Sequence, residues 1–196
     1  MDVRTIAVIG AGPMGRGIAY AAALGGFRTV LEDVSPSLLD EGVAFIRETF
    51  KEGVARGKVT AEQMETALAS LTTARRVEDA CRQGDLLIEA VAEEMEVKLE
   101  IFTIFDKFAK PDAILASTAA SLSITEIAAI TFRAENCIGM RFFDQVPKMK
   151  LLEIVRALES SDATVAACVD AGRRMGREVV VVRESPGLIT PAASTK

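Results

Sequence analysis

The stretch IAVIGAGPMG, residues 6–15, predicts the fold of this chain. A short apolar strand breaks into the pattern G-x-G-x-x-G and leads directly into an Ala-rich helix. In such a unit Gly10 permits the tight turn, Gly12 lets the backbone approach a pyrophosphate, and Gly15 lets the helix pack on the strand. The helix then presents free N–H groups and a partial positive charge to the phosphates. The pattern therefore predicts a dinucleotide-binding site.

The second predicted strand, residues 29–33, ends in Asp33, 18 residues after the last glycine. A carboxylate at this place binds the hydroxyls of an adenosine ribose in dinucleotide-binding folds. A plain helix-capping or loop acid is the alternative. Val34 and Ser35 follow Asp33 where a protein that binds NADP would carry an arginine, so the sequence favours NAD.

The composition restricts the class of protein. The chain has 196 residues, a net charge of −5, and 49% hydrophobic but only 5% aromatic residues. Small aliphatic cores are typical of parallel α/β sheets, and the lack of a basic character argues against nucleic acid as a partner. With no histidine and three scattered cysteines, we expect no metal site, no disulfide framework and a reducing, cytoplasmic location. We expect no signal peptide and no membrane partner, because the first strand begins at once and no apolar run is long enough to span a bilayer.

Strand-like and helical segments alternate along the rest of the chain. Ser35, Thr60 and Ser123 stand where helix N-caps are expected. This alternation predicts an α/β fold, a Rossmann-like, doubly wound, mostly parallel sheet over residues 1–190, followed by a short disordered tail at 191–196. Further strands are predicted at 72–74, 85–91, 113–117, 137–143, 151–155 and 179–182.

Eight short segments, in the order in which they follow one another along the chain, form a recognisable series. They are GAGPMGRGIA at 10–19, IEAVAE at 88–93, LAS at 115–117, SLSIT at 121–125, GM at 139–140, FF at 142–143, MKLLEIV at 149–155 and SPG at 185–187. Together they resemble the NAD-binding domain of the 3-hydroxyacyl-CoA dehydrogenases, with bacterial 3-hydroxybutyryl-CoA enzymes the nearest in character. The resemblance covers residues 3–190. It implies NAD-dependent oxidation of a 3-hydroxyacyl-CoA to the 3-oxoacyl-CoA, with NAD(H), an acyl-CoA and a second copy of the chain as candidate partners.

The resemblance also implies a set of cofactor contacts. For Glu93 and Lys98 it implies a contact with the nicotinamide ribose, and an ordinary solvated helix face is the alternative. Pro13 fits the first turn of a helix but removes one N–H from the phosphate-facing set, so we expect NAD to bind more weakly. The implied cofactor-binding residues are Gly10, Gly12, Pro13, Met14, Gly15, Asp33, Ala90, Glu93, Lys98 and Thr118.

The sequence departs from the family at the positions that carry its chemistry. In the family a histidine takes the proton of the substrate's 3-hydroxyl, and a glutamate orients that histidine. This chain keeps the acid as Glu153, but Arg141 stands at the histidine position. Ala120 replaces the serine that contacts the substrate oxygen, Thr118 replaces a neighbouring asparagine, and Pro191 replaces an asparagine or serine near the end of the domain.

Arginine at the histidine position changes the expected chemistry. A guanidinium stays protonated below about pH 12 and cannot accept a proton, and loss of a general base typically costs about 10²–10⁴-fold in rate. We therefore expect an ion pair between Arg141 and Glu153, and little turnover. Family members continue into an α-helical domain, whereas this sequence ends five residues after Pro191, so we also expect that domain to be absent.

Two other functions stay open. The chain could be a non-catalytic interaction module with a vestigial NAD site. It could also be an altered reductase, in which Arg141 polarises a carbonyl while water supplies the proton. Cys137 lies in a predicted strand with no adjacent activating cation, so we expect an inert core thiol.

Overall fold

A computed structural model describes residues 1–143 and 145–184 of the chain. Within these residues eight strands form one sheet in the order β3-β2-β1-β4-β5-β6-β7-β8. The strands are β1 (Thr5–Ile9), β2 (Arg28–Glu32), β3 (Leu71–Ala74), β4 (Leu86–Glu89), β5 (Ile114–Ser117), β6 (Cys137–Phe142), β7 (Leu151–Arg156) and β8 (Glu178–Arg183). The helices are α1 (Pro13–Leu24), α2 (Pro36–Ala55), α3 (Ala61–Ala69), α4 (Val77–Cys81), α5 (Met95–Phe108), α6 (Ile124–Ala128) and α7 (Asp162–Arg174), with a 3₁₀ turn at Ala134–Asn136.

The sheet is parallel except at one pair of neighbours. β6 and β7 run antiparallel, and every other adjacent pair is parallel. The predicted Rossmann-like, mostly parallel fold is therefore confirmed. Because β1 lies between β2 and β4, the strand order reverses at β1. In folds of this kind ligands bind beside the carboxyl ends of the strands at such a reversal.

Two apolar layers hold the helices against the sheet. The central strand β1 alternates between them, since Ile6 and Val8 face one layer and Ala7 and Ile9 face the other. The first layer packs against α1, α2, α3 and α7, and the second against α4, α5 and α6. This two-sided burial explains why the strands are apolar runs rather than alternating patterns.

The predicted helix starts agree with the structure. The Ser35 and Ser123 hydroxyls accept N–H groups of the first turns of α2 and α6. Thr60 and Gln63 form a reciprocal capping box at the start of α3. The strand predicted at 85–91 is shorter, because Ala90 and Val91 leave the sheet and enter a loop. The 3₁₀ turn was not predicted, and the boundary placed at residue 190 lies outside the described residues.

The three cysteines are buried and free. Burial raises the pKa of Cys137 to about 11 and the pKa values of Cys81 and Cys168 to about 12. Cys137 thus lies in the core as expected, and its raised pKa disfavours the reactive thiolate form. In the part of the chain that the structure describes, every helix is too short or too polar to cross a membrane.

Candidate cofactor-binding and catalytic site

The three glycines of the G-x-G-x-x-G turn have three different environments. Gly10 has φ +102°, a conformation that side chains disfavour. A Cβ on Gly15 would lie 1.7 Å from the Gly10 carbonyl oxygen, so only glycine lets α1 approach β1 this closely. A Cβ on Gly12 would meet no atom within 4 Å. The backbone at Gly12 therefore faces open space, where a bulky polar group can reach it.

A cavity of about 530 Å³ opens beside this turn, at the carboxyl ends of β1 and β4. Six residues predicted from the sequence line it, namely Gly10, Gly12, Pro13, Met14, Asp33 and Ala90. Its size is in the range of small-molecule sites. Its position at the reversal of strand order is the one expected for a dinucleotide.

Part of the cavity wall was not predicted. Gln145 and Val146, in the connection between β6 and β7, line the cavity. Arg177 Nη1 donates a hydrogen bond to the Val146 carbonyl oxygen at 2.7 Å. A Cβ on Gly17 would lie 2.9 Å from Val146 Cβ, so this connection packs closely on α1. No local sequence signal indicates these long-range contacts.

Asp33 is fixed between the glycine turn and the start of α2. Its Oδ2 accepts the Ala11 N–H at 2.9 Å, and its Oδ1 accepts the Ser35 N–H at 2.8 Å. Each carboxylate oxygen can accept about two hydrogen bonds, so both retain capacity for a ribose hydroxyl. Asp33 is thus a loop acid that also lines the cavity. Its place in the loop is therefore compatible with the predicted contact to the adenosine ribose.

Glu93 and Lys98 contact the protein itself. Lys98 has no exposed side-chain surface, and its Nζ lies 2.7 Å from Glu89 Oε1 and 3.5 Å from Glu93 Oε2. Glu93 Oε1 accepts the N–H groups of Ala120 and Ser121 at 2.8 and 2.9 Å. Burial opposes ionisation of Glu93, but the Ser121 N–H and the Lys98 charge outweigh it and lower its pKa. A solvated helix face is wrong for Lys98, and the ribose contacts of both residues stay predictions.

The expected ion pair between Arg141 and Glu153 is present. The antiparallel register of β6 and β7 places the two residues directly opposite each other. Arg141 Nη1 lies 3.0 Å from Glu153 Oε2, and the side chains are 23% and 24% exposed. Arg141 Nε is buried without a hydrogen-bond partner among the described residues.

The other altered positions lie on the connection between β5 and α6. Thr118 donates its N–H to the Glu89 carbonyl oxygen at 3.1 Å, and the Ala120 N–H is held by Glu93. Neither residue lines the cavity, and neither does Arg141. Pro191 lies outside the described residues. Among those described, no group of three His, Cys, Asp or Glu side chains is placed to hold a metal ion.

The doubly wound sheet and the glycine-lined cavity at its strand reversal define a dinucleotide-binding domain of the Rossmann type. The family described as 3-hydroxyacyl-CoA dehydrogenase, NAD binding domain, matches residues 5–185. The chain therefore belongs to the 3-hydroxyacyl-CoA dehydrogenase family and carries its NAD-binding domain. The resemblance drawn from the sequence and the choice of NAD as cofactor are both confirmed.

Individual relatives agree with this assignment. The chain is 37% identical over 190 residues to the probable 3-hydroxybutyryl-CoA dehydrogenase of Bacillus subtilis, covering 97% of this chain and 66% of that protein. It is 40% identical over 187 residues to the 3-hydroxybutyryl-CoA dehydrogenase of Bradyrhizobium diazoefficiens, covering 95% and 64%. The crystal structure of (S)-3-hydroxybutyryl-CoA dehydrogenase PaaH1 from Ralstonia eutropha superposes with a TM-score of 0.89 at 36% identity, covering 95% and 65%. The chain thus spans about two thirds of the length of these relatives.

Proposed function

We propose that this chain binds NAD(H) in the cavity beside the glycine turn and does not oxidise 3-hydroxyacyl-CoA at the rate of its family. The observation that carries the proposal is the ion pair between Arg141 and Glu153. It occupies the positions at which the family resemblance implies a histidine–glutamate pair. An arginine–glutamate pair resembles that pair in shape, but the guanidinium cannot accept a proton as an imidazole can.

The residues around the cavity fit NAD. The open space at Gly12 suits the pyrophosphate, and the Met14 and Gly15 N–H groups at the start of α1 are suited to bind it. Asp33 retains acceptor capacity for the adenosine ribose. When bound, NAD supplies an acceptor for hydride. Pro13 contributes no N–H, which is consistent with binding that is weaker than a full set of donors would give.

Three side chains that the family resemblance assigns to catalysis or substrate binding are replaced in this chain. Arg141 cannot take up a proton near neutral pH. Ala120 has no hydroxyl to bind a substrate oxygen. Thr118 lacks the side-chain amide of the asparagine that it replaces. Loss of the general base alone costs about 10²–10⁴-fold in rate, and the loss of both oxygen contacts adds to this. An acyl-CoA is the substrate class suggested by the names of the relatives, and we take it as the test substrate.

A two-stage titration tests the proposal. NADH is first titrated into the chain and its fluorescence is followed, and acetoacetyl-CoA is then added while the nicotinamide absorbance is recorded. We expect saturable binding, and oxidation at least about 10²-fold slower than that of a family member that carries the histidine. Asp33→Ala should weaken binding, whereas Asp79→Ala, which removes an exposed acid on α4, should not. Oxidation at the rate of such a family member would refute the loss of activity. Absence of binding would refute the cofactor proposal and favour the interaction module.

A further inference from the structure

Gln145 differs from the other residues that line the cavity beside the glycine turn. Among the described residues of the cavity wall, it is the only one whose side chain carries N–H donors, and Asp33 is the only one with a charge. The ionised Asp33 carboxylate can only accept hydrogen bonds. A negatively charged ligand in this cavity therefore finds its side-chain hydrogen-bond donor at the amide of Gln145.

The glycine turn itself offers few backbone donors to such a ligand. Some of its N–H groups already donate to oxygen atoms of the protein, at 2.8 to 3.0 Å, namely those of Gly10, Ala11 and Arg16. Pro13 has no N–H. A pyrophosphate is doubly charged, and hydrogen bonds to charged groups are among the strong ones. A further donor near the start of α1 would therefore add to its binding.

The backbone holds Gln145 in an uncommon conformation. Its φ is +62°, the only positive value at a residue other than glycine in the part of the chain that the structure describes. Its carbonyl oxygen accepts the N–H groups of Lys148 and Met149 at 2.7 and 3.1 Å, which closes a turn at residues 145–149. Left-handed backbone at a residue with a side chain persists only where the surroundings hold it, and such residues cluster at ligand-binding sites.

Two contacts hold this turn against the protein. Arg177 Nη1 donates to the Val146 carbonyl oxygen at 2.7 Å. The Val146 side chain is buried and packs on Gly17, which lies one helical turn after Pro13 on the same face of α1. Gln145, next to Val146, is therefore held beside the start of α1, where the phosphates of a dinucleotide are expected.

We propose that Gln145 binds the pyrophosphate of NAD(H), with its side-chain amide donating a hydrogen bond to a phosphate oxygen. This donor compensates in part for the N–H that Pro13 lacks. The inference rests on the proposed NAD(H) binding and adds a contact to it. Gln145 is not among the cofactor-binding residues that the family resemblance implies.

An isosteric substitution tests whether the Gln145 amide is the donor. Gln145→Glu keeps the size of the side chain but replaces the N–H donors with a second oxygen and a negative charge. We expect it to raise the NADH Kd at least about tenfold, because a hydrogen bond to a charged group is lost and like charges then face each other. Gln83→Glu makes the same change at an exposed glutamine after α4 and should leave the Kd unchanged. Equal NADH affinity of Gln145→Glu and the unmodified chain would overturn the proposal.

ADP locates the contact within the cofactor. It has the adenosine and both phosphates of NADH but lacks the nicotinamide riboside, and titration calorimetry gives its Kd directly. We expect Gln145→Glu to raise the ADP Kd by the same factor as the NADH Kd. A loss of affinity confined to NADH would place the amide at the nicotinamide end and refute the pyrophosphate contact.

Gln145→Gly separates ligand binding from the stability of the turn. Glycine adopts a φ of +62° without strain, so we expect a melting temperature no lower than that of the unmodified chain. The Kd values for NADH and ADP should nevertheless rise about tenfold, because the donor is gone. A lower melting temperature with unchanged Kd values would show that the side chain is structural only, contrary to the proposal.

Amide hydrogen exchange shows, without the cofactor, whether the turn at 145–149 stays closed. In Gln145→Glu we expect the Lys148 and Met149 amides to be as protected as in the unmodified chain, so that weaker binding reports the lost donor. Faster exchange at these two amides would attribute the loss to an opened turn and would count against a direct contact.

The two proposals fail in different ways. If the unmodified chain binds neither NADH nor ADP, the proposed function fails, and this inference fails with it. If the unmodified chain binds both, and Gln145→Glu binds them equally well, only the inference fails.

Discussion

The two halves of the site differ in what they retain. The half built on β1, β2 and β4 has the glycine turn, the open backbone at Gly12 and the fixed carboxylate of Asp33. The half built on β5, β6 and β7 has its loops held in place but carries Arg141 and Ala120 where the family resemblance implies a catalytic histidine and a substrate-binding serine. In our proposal, cofactor binding and proton transfer therefore rest on separable features of the same fold.

The separation has a physical basis. The cofactor half depends on backbone N–H groups and on close approaches that only glycine permits, so a change there disturbs the fold itself. The catalytic half depends on the pKa of one side chain. Arg141 sits opposite Glu153 in an intact antiparallel ladder, so the arginine that we propose replaces the proton acceptor does not disturb the sheet.

The largest expected effect comes from the packing of the cofactor half. In Gly15→Ala the new Cβ would lie 1.7 Å from the Gly10 carbonyl oxygen, and a backbone atom cannot rotate away. We expect the free energy of unfolding to fall by more than about 3 kcal/mol, at or beyond the usual range for overpacking. NADH binding should be lost as the turn opens. Urea unfolding and the NADH titration measure the two effects.

Gly12→Ala is the matched control in the same turn. Its Cβ meets no atom within 4 Å, and φ at Gly12 is −62°, which alanine accepts. We expect an unfolding curve close to that of the unmodified chain but a weaker NADH complex, because the methyl group enters the space that faces the phosphates. Equal destabilisation by both substitutions would contradict the distinct roles assigned to Gly12 and Gly15.

The second prediction tests the proposal that Arg141 replaces a proton acceptor. In Arg141→His combined with Ala120→Ser, an imidazole would stand opposite Glu153 and a hydroxyl on the loop that Glu93 holds. We expect NADH-dependent reduction of acetoacetyl-CoA to rise about 10²-fold over the unmodified chain, the lower end of what a general acid or base supplies. Ala120→Ser alone is the control and should not produce this gain. No gain in the double variant would show that the catalytic half lacks more than these side chains.

Local sequence patterns predicted the parts of the site that local geometry determines. The turn at 10–15, Asp33 at the end of its strand, and the caps at Ser35 and Thr60 depend on neighbours within a few residues. The ion pair of Arg141 and Glu153 was predicted from the family resemblance, since the two positions are linked only by strand pairing.

The connections that span the sheet could not be predicted in this way. Glu89 looks like part of an apolar strand, and its partner Ser117 is 28 residues away. Lys98 lies in an amphipathic helix, where a lysine is ordinarily solvated, and its complete burial depends on how α5 packs over β4. Gln145 and Val146, which form part of the cavity wall, likewise lie in the connection between β6 and β7, far along the sequence from the glycine turn.

The third prediction concerns a titrating group in the cofactor half. Burial, with smaller contributions from Asp33 and Glu78, raises the pKa of Glu32 from 4.5 to about 7. The folded chain then holds this proton more tightly than the unfolded chain, so the contribution of Glu32 to stability is fully present below pH 4.5 and is lost as the pH rises to about 7. We expect Glu32→Gln to be more stable than the unmodified chain by about 3 kcal/mol at pH 8, with the gain largely lost at pH 5.

Thermal unfolding at pH 5 and pH 8 checks this difference. Glu65→Gln, which changes an exposed acid on α3, is the control and should show little pH-dependent difference. If Glu32→Gln is destabilising at pH 8, the buried carboxylate has a partner that its environment does not indicate, since Oε1 has none among the described residues.

The smallest effect is expected at the ion pair itself. Both side chains are about a quarter exposed, with values of 23% and 24%, and ion pairs that water can screen contribute about 1 kcal/mol or less. Glu153→Gln should therefore lower the free energy of unfolding by about 1 kcal/mol and leave the NADH Kd unchanged, because neither residue lines the cavity. A Kd that rises several-fold would show that the ion pair supports the cofactor half, and the two halves would then not be separable.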